Sequence, residues 1–189
     1  MPLLLASTSP QRRAILEQLG IPFVAVSPAY VEHDPPRASP TDLVREHAAG
    51  KAHSLEPRGL PVLGVDTAVV LDGRLYGKPA TAAEAADMLE HLGGHTHEVV
   101  SGLCLLGPGW EVVEHEITRV SFRPLGLQDV AAYVATGEWR GRAGAYAIQG
   151  RGAGLVEKID GDYLNVVGLP AALLVRILAE RMPGAYGFG

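Results

Sequence analysis

The sequence predicts one domain, residues 1–189, of mixed α/β (α+β) class built on a single central sheet. Three observations carry that expectation. Apolar runs of strand length alternate with helical stripes, some strands follow one another directly, and neither linker nor internal repeat interrupts the chain. With 47% hydrophobic and 20% charged residues, the 189-residue chain is long and apolar enough to close a real core.

Each element has its own signal. "LLLAS", from Leu3, reads as a short buried strand. Ser9 then caps a helix with Pro10 at its first position, an apolar stripe of Ile15, Leu16 and Leu19, and a stop at Gly20. "PFVAVSP" is a second strand, "EHDPPRASPTD" a proline-rich surface loop, and "PTDLVREHAAGKAHSL" a helix capped by Thr41 or Asp42. "PVLGV" and "AVVL" read as strand either side of an interruption, followed by a hairpin that turns at Asp72 and Gly73. Thr81 and Glu84 form a capping box at the head of "TAAEAADMLEHLGG", and its glycines stop that helix. "HEVVSGLCLLG" and "WEVVEHEITRVSFRPL" are two long antiparallel strands. "GLQDVAAYVATG" is a helix, "GAYAIQG" and "GAGLVEKIDGDY" are glycine-punctuated strand and turn, and "LPAALLVRILAERM" is the closing helix before a frayed "PGAYGFG".

Composition excludes several classes. No apolar run approaches the roughly 20 residues of a membrane helix, and "PLLLAS" is too short and lacks the basic flank of a secretory leader. A cytoplasmic protein without a membrane partner is expected. Cys104 has no second cysteine to pair with and lies in the apolar "GLCLLG", which predicts a buried, inert thiol. The net charge of −5 and the absence of a basic stripe argue against duplex nucleic acid. His91, His95 and His97 fit no zinc spacing and read as solvated or capping residues. No serine has the G-x-S-x-G setting of a hydrolase nucleophile.

Three stretches carry chemistry. "ASTSPQRR" ends a strand in hydroxyls and starts a helix, whose mouth and dipole attract anions. Arg12 and Arg13 stand in the first turn, where the dipole disfavours cations unless an anion is close. That is a phosphate site in one reading and a plain cap with solvated arginines in the other. In "LGVDTAVVLDGRLYGKP", Asp66 breaks an apolar run, where a carboxylate is costly unless it is paired or binds a metal. Lys78 beyond the hairpin could return beside it, giving an acid, the Thr67 hydroxyl and a lysine for phosphate ester chemistry; the plainer reading is a strand-end Asp. In "RAGAYAIQGRGAG" glycines bring backbone close to a ligand, with Tyr146 to pack on a flat ring and Gln149 to pair with its edge. A bulged strand pair fits equally, and the stretch is no P-loop. Only Lys51, Lys78 and Lys158 are lysines among 16 basic residues, so a retained lysine points to a place that needs a compact charge.

Taken together, "LLLASTSPQRRAILEQLG", "GVDTAVVLDGRLYGKP" and "GAYAIQGRGAGLVEKIDGDYLNVVGLP", in order and spacing, resemble the Maf-type nucleoside triphosphate pyrophosphatases along nearly the whole chain. The resemblance implies an elongated mixed-sheet domain flanked by helices, with two lobes around a cleft, distantly related to inosine triphosphate pyrophosphatases. It implies hydrolysis of a nucleoside triphosphate to the monophosphate and pyrophosphate with a divalent cation, Mg²⁺ or Mn²⁺. "GAYAIQG" looks like the branch that acts on dTTP and UTP. By the same resemblance Ser7 and Arg12 bind phosphate, Glu32 and Asp66 serve the metal or water with Asp66 as general base, Lys51 and Lys78 are the family's lysines, and Thr67, Gln149 and Tyr146 bear on base selection. The family's opening reads S-P-R-R. Here Gln11 stands at the first arginine position, with Arg13 added about 100° around the helix. A nucleotide-binding regulator of cell division or septum formation with weak catalysis is the alternative, and the apolar "EVVSGLCLL" edge is the candidate surface for a homodimer.

Overall fold

A computed structural model describes every residue except Asp34, Pro36, Arg37 and Arg58. The elements follow as β1 (Leu3–Ala6), α1 (Pro10–Gln18), β2 (Phe23–Val26), α2 (Pro40–His53), β3 (Val62–Leu71), β4 (Arg74–Tyr76), α3 (Ala82–Leu92), β5 (Thr96–Gly107), β6 (Trp110–Phe122), α4 (Leu127–Thr136), β7 (Val156–Asp160), α5 (Tyr163–Val167) and α6 (Ala171–Arg181). One seven-stranded mixed sheet runs in the order β2-β1-β3-β5-β6-β7, with β4 hydrogen-bonded to β3. β1 pairs parallel with β2 and β3, while β3 with β4 and β6 with β7 are antiparallel. The mixed α/β class read from the sequence is the observed one.

The chain divides into two compact units. Unit 1 comprises 1–67, 101–116 and 168–189; unit 2 comprises 68–100 and 117–167. In unit 1, Leu4 and Ala6 of β1 pack with Ala48 and Ala52 of α2, Val62 of β3 and Cys104 of β5. α2 lies unusually close to its strands because two of their residues lack a side chain. A Cβ on Gly64 would overlap the Ala48 carbonyl oxygen, and one on Gly102 would overlap that of Val44. No described helix is long and apolar enough to cross a membrane.

Several expectations shift on contact with the structure. β3 runs unbroken through Asp66, because the ladder needs only backbone and the largely buried carboxylate is paired with Lys51. Asp72 and Gly73 make the predicted turn with φ of 51° and 75°, the left-handed pair that matches strand twist. The cap of α2 is Ser39, whose hydroxyl accepts from the Asp42 amide at 3.2 Å; Thr41 and Asp42 stand inside the first turn behind Pro40. The loop expected over "EHDPPRASPTD" lies partly outside the described residues, and its last three residues open α2. "GAYAIQG" is not strand: Ala143–Ala145 is a short 3-10 turn and a second spans Arg151–Leu155, so only Val156–Asp160 joins the sheet. The C-terminal "PGAYGFG" folds on itself, the Gly184 amide donating to the Phe188 carbonyl at 2.7 Å. "EVVSGLCLL" is an inner strand between β3 and β6, so it offers no edge for a second copy.

Unit 2 closes around α3 and α4, with Leu89, Leu92, Phe122, Val130, Tyr133, Trp139 and Tyr146 buried together. His97 belongs to this core rather than to the solvent or a cap, while His91 and His95 are exposed as expected. Its ring meets Phe122 edge-on at 4.9 Å and shares a 2.9 Å hydrogen bond with the Tyr146 hydroxyl. Burial pulls the His97 pKa down to about 4. The unfolded chain therefore takes up the proton first, so the stabilisation is complete above the ordinary value near 6.5 and is lost as pH falls toward 4. Urea unfolding at pH 7.5 and 4.5 should show a loss of about 3 kcal/mol from this residue, and His97→Leu should remove that part of the pH dependence.

Candidate active site

Unit 1 holds eight of the residues singled out in the sequence. Ser9 caps α1, and the chain before it bends so that the Ser9 amide donates to the Ser7 hydroxyl at 3.2 Å. Arg12, in the first turn, folds back over this bend. Its Nη1 donates to Ser7 Oγ at 3.1 Å, Nη2 to Thr67 Oγ1 at 3.3 Å and Nε to the Gly168 carbonyl at 2.9 Å. Ser101, fully buried on β5, fixes Thr67 through a 2.9 Å hydroxyl pair. Sequence reasoning passed over Ser101, which carries no local signal beyond being a polar residue in an apolar strand. Gln11 is half-buried and accepts from Ser9 Oγ at 3.2 Å, while Arg13 is exposed.

The second half of the site joins α2 to β3. Asp66 leaves β3 with its side chain 15% exposed, and Lys51 reaches it from α2, Nζ to Oδ1 at 2.5 Å. The same ammonium meets Glu32 Oε1 at 2.6 Å, so one buried cation bridges two carboxylates. His47, one turn before Lys51 and on the same face of α2, places Nδ1 3.4 Å from the other Asp66 oxygen. His47 was missed in the sequence, although its spacing of four from Lys51 on a predicted helix was the signal that could have found it. The close seat of α2 on Gly64 sets all of this, since His47 and Lys51 flank the point of contact at Ala48.

Charge explains the arginine in the first turn of α1. Burial pulls the Arg12 guanidinium down from its ordinary value, Asp66 and Glu32 oppose that, and it remains a cation. For Asp66, burial alone would push the carboxyl up. Lys51, by charge and hydrogen bond, outweighs it together with Arg12 and His47, and the carboxyl is held below the usual range. The anion that the sequence required near Arg12 is thus supplied in part by the chain itself.

Ligand atoms of Glu32, His47 and Asp66 all lie within 4.8 Å of one another, close enough for one divalent ion. The remaining residues singled out belong to unit 2. Lys78 is exposed just after β4, and Gln149 is exposed in the turn before the second 3-10 segment. Tyr146, expected to lie against a flat ligand ring, has its ring inside the core against Phe122 at 4.8 Å. Its phenol pKa is raised by that burial. Cys104 is buried as expected.

The sequence profile of one family, described as Maf-like protein, matches residues 2–181. A relative from Symbiobacterium thermophilum named dTTP/UTP pyrophosphatase is 48% identical over 180 residues, covering 94% of this chain and 93% of its own. Proteins of the same name from Gloeobacter violaceus and Salmonella typhimurium are 48% and 44% identical, each over 94% of this chain and over 95% and 92% of their own. Solved structures of a HAM1 protein from Coxiella burnetii and of the Staphylococcus aureus Ham1 protein align over 65% of this chain and 73% and 72% of their own. Their TM-scores are 0.43 and 0.45 at 17% and 15% identity.

Proposed function

The chain belongs to the Maf-like protein family, and on that premise we propose that it hydrolyses a nucleoside triphosphate, dTTP or UTP, to the monophosphate and pyrophosphate. The observation that carries this reading is the paired carboxylates, Glu32 and Asp66, sharing the Lys51 ammonium while the serine- and arginine-lined mouth of α1 meets the same strand through Thr67.

The donor set fits a divalent cation: two carboxylates and an imidazole nitrogen converge, and the carboxylates outnumber the single ammonium between them. Such an ion, when bound, neutralises phosphate charge and acidifies a bound water. Ser7, Arg12 and the amides of the α1 mouth receive phosphate oxygens, Arg12 exchanging a hydroxyl partner for the stronger charged one. As the water oxygen bonds to the α-phosphorus, its proton passes to a carboxylate of the Glu32–Asp66 pair, and the bond to the bridging oxygen breaks to release pyrophosphate. Lys51 stabilises the negative charge that builds on the phosphoryl oxygens. The single domain over 1–189 is part of the proposal, supported by a family match that runs through both units.

A panel of nucleoside triphosphates with Mg²⁺ tests it. Pyrophosphate and monophosphate should appear in equal amounts, fastest from dTTP and UTP. Thermal stabilisation by those nucleotides without any pyrophosphate would overturn the reading. The same panel on Gln11→Arg should show KM for the triphosphate lowered about fivefold, because a charge-assisted contact replaces a neutral one.

A further inference from the structure

Gln149 stands exposed at the third position of a turn over residues 147–150 of unit 2, closed by the Gly150 amide donating to the Ala147 carbonyl at 3.2 Å. Side chains tie this turn down on both sides of Gln149. Before it, the Ala147 amide donates to the Tyr133 hydroxyl at 2.9 Å. After it, the Arg151 and Gly152 amides donate to the two carboxylate oxygens of Glu138, at 3.0 and 3.3 Å. Successive amides aimed at one place form a nest, ordinarily the seat of a bound anion. Here the chain fills the nest with a carboxylate of its own. Two glycines of "RAGAYAIQGRGAG" permit this closure: a Cβ on Gly150 would lie 2.5 Å from Glu138 Oε2, and one on Gly152 would lie 2.4 Å from the Ala147 carbonyl oxygen.

Glu138 is itself firmly placed. It follows Gly137, the left-handed cap of α4 with φ 73°, and its amide donates to Thr136 Oγ1 at 3.1 Å. The next residue, Trp139, is buried, and its Nε1–H donates to the Val134 carbonyl at 3.0 Å. Burial raises the Tyr133 pKa to about 12, the Glu138 carboxylate adding to the effect, so that hydroxyl keeps its proton at neutral pH.

We propose that Glu138 is a positioning residue for base selection: by filling the nest at Arg151 and Gly152 it holds the turn so that Gln149 meets a uracil or thymine edge in one fixed place. The inference rests on the dTTP and UTP preference proposed above, with Gln149 as the partner of the base edge, and deepens it. The two bonds to Glu138 have a charged acceptor, which makes them stronger than neutral ones. A side chain already in place needs no ordering when the base arrives. Uracil and cytosine differ in donors and acceptors along that edge, so a fixed partner rejects the wrong pattern better than one that can shift to follow it.

The test uses the whole protein with Mg²⁺, UTP, CTP and inorganic tripolyphosphate. Glu138→Gln keeps the shape, loses the charge and turns an NH₂ group toward the nest. Its KM for UTP should rise about tenfold with kcat within about threefold, and its kcat/KM preference for UTP over CTP should fall about tenfold. Inhibition by tripolyphosphate, which has no base, should stay within about twofold of native. Gln149→Ala should lower the same preference, and adding Glu138→Gln to it should lower it no further, because one residue acts through the other. A merely structural brace would instead weaken tripolyphosphate inhibition and the turnover of UTP and CTP together. That result, or additive losses in the double variant, would overturn the role of Glu138 and leave the pyrophosphatase standing. An unchanged preference in Gln149→Ala would remove the base partner and this inference with it, whereas a native protein that releases no pyrophosphate overturns the proposed function itself. If Glu138→Gln does not fold, Tyr133→Phe decides. It removes the hydroxyl that anchors Ala147 beside Glu138 and keeps the ring in the core, so the UTP preference should fall about threefold, and an unchanged preference would overturn the inference.

Discussion

Asp66→Asn is expected to leave a folded protein whose dTTP or UTP turnover is lower by about three orders of magnitude, the range that loss of a proton-accepting or charge-placing carboxylate produces. The amide has the same shape, and its oxygen can still accept from Lys51, whose Nζ lies 2.5 Å from Oδ1 in the native side chain. The negative charge is lost, however. With it goes the counterweight to Lys51, Arg12 and His47, the groups that hold this carboxyl below its usual range. Ser7 and Arg12 keep their places, so KM should move far less than kcat. Pyrophosphate release in a single turnover, paired with a urea unfolding curve, separates the two effects. A kcat within tenfold of the native value would remove Asp66 from the reaction.

The second large effect belongs to a residue with no side chain. Gly64→Ala should lower stability by about 3 kcal/mol, near the upper end for forcing an extra carbon into a packed site. In a chain of this length that corresponds to a melting temperature lower by about 10 °C. The added carbon meets the carbonyl of Ala48 and comes within 2.8 Å of the Ala52 nitrogen, and neither backbone atom can turn aside as a flexible side chain would. α2 must lift, and it carries His47 and Lys51. Turnover should therefore fall even in the fraction that stays folded. Gly154→Ala is the control: its added carbon meets nothing within 4 Å, and calorimetry should find it within about 0.5 kcal/mol of the native protein.

Local chemistry made most of the fold legible. Ser9 with Pro10, Thr81 with Glu84, and Asp72 with Gly73 each satisfy or bend nearby backbone, so each could be read from a few adjacent residues. Misreadings came where distant partners decide. Asp66 looked like a break in β3 because a carboxylate in an apolar run is costly alone. It is not alone, since Lys51, fifteen residues earlier in the chain, neutralises it. "GAYAIQG" has strand-like apolar residues, but Gly144 at φ 68° and Ala145 at φ 62° turn the backbone out of any ladder. His97 read as a solvated residue because nothing local shows that Phe122 and Tyr146 close over it. In the site, residue type identified Ser7, Arg12 and Asp66. His47 and Ser101 needed α2 and β5 to be laid beside β3.

Cys104 has a practical consequence. Its sulfur is fully buried, and burial together with the Glu111 carboxylate pushes its pKa to about 12. At neutral pH almost no thiolate exists there and reagents cannot reach it. The native protein therefore behaves toward maleimides as though it contained no cysteine. A single cysteine introduced on an exposed position can carry a dye or spin label cleanly, without first removing the natural one.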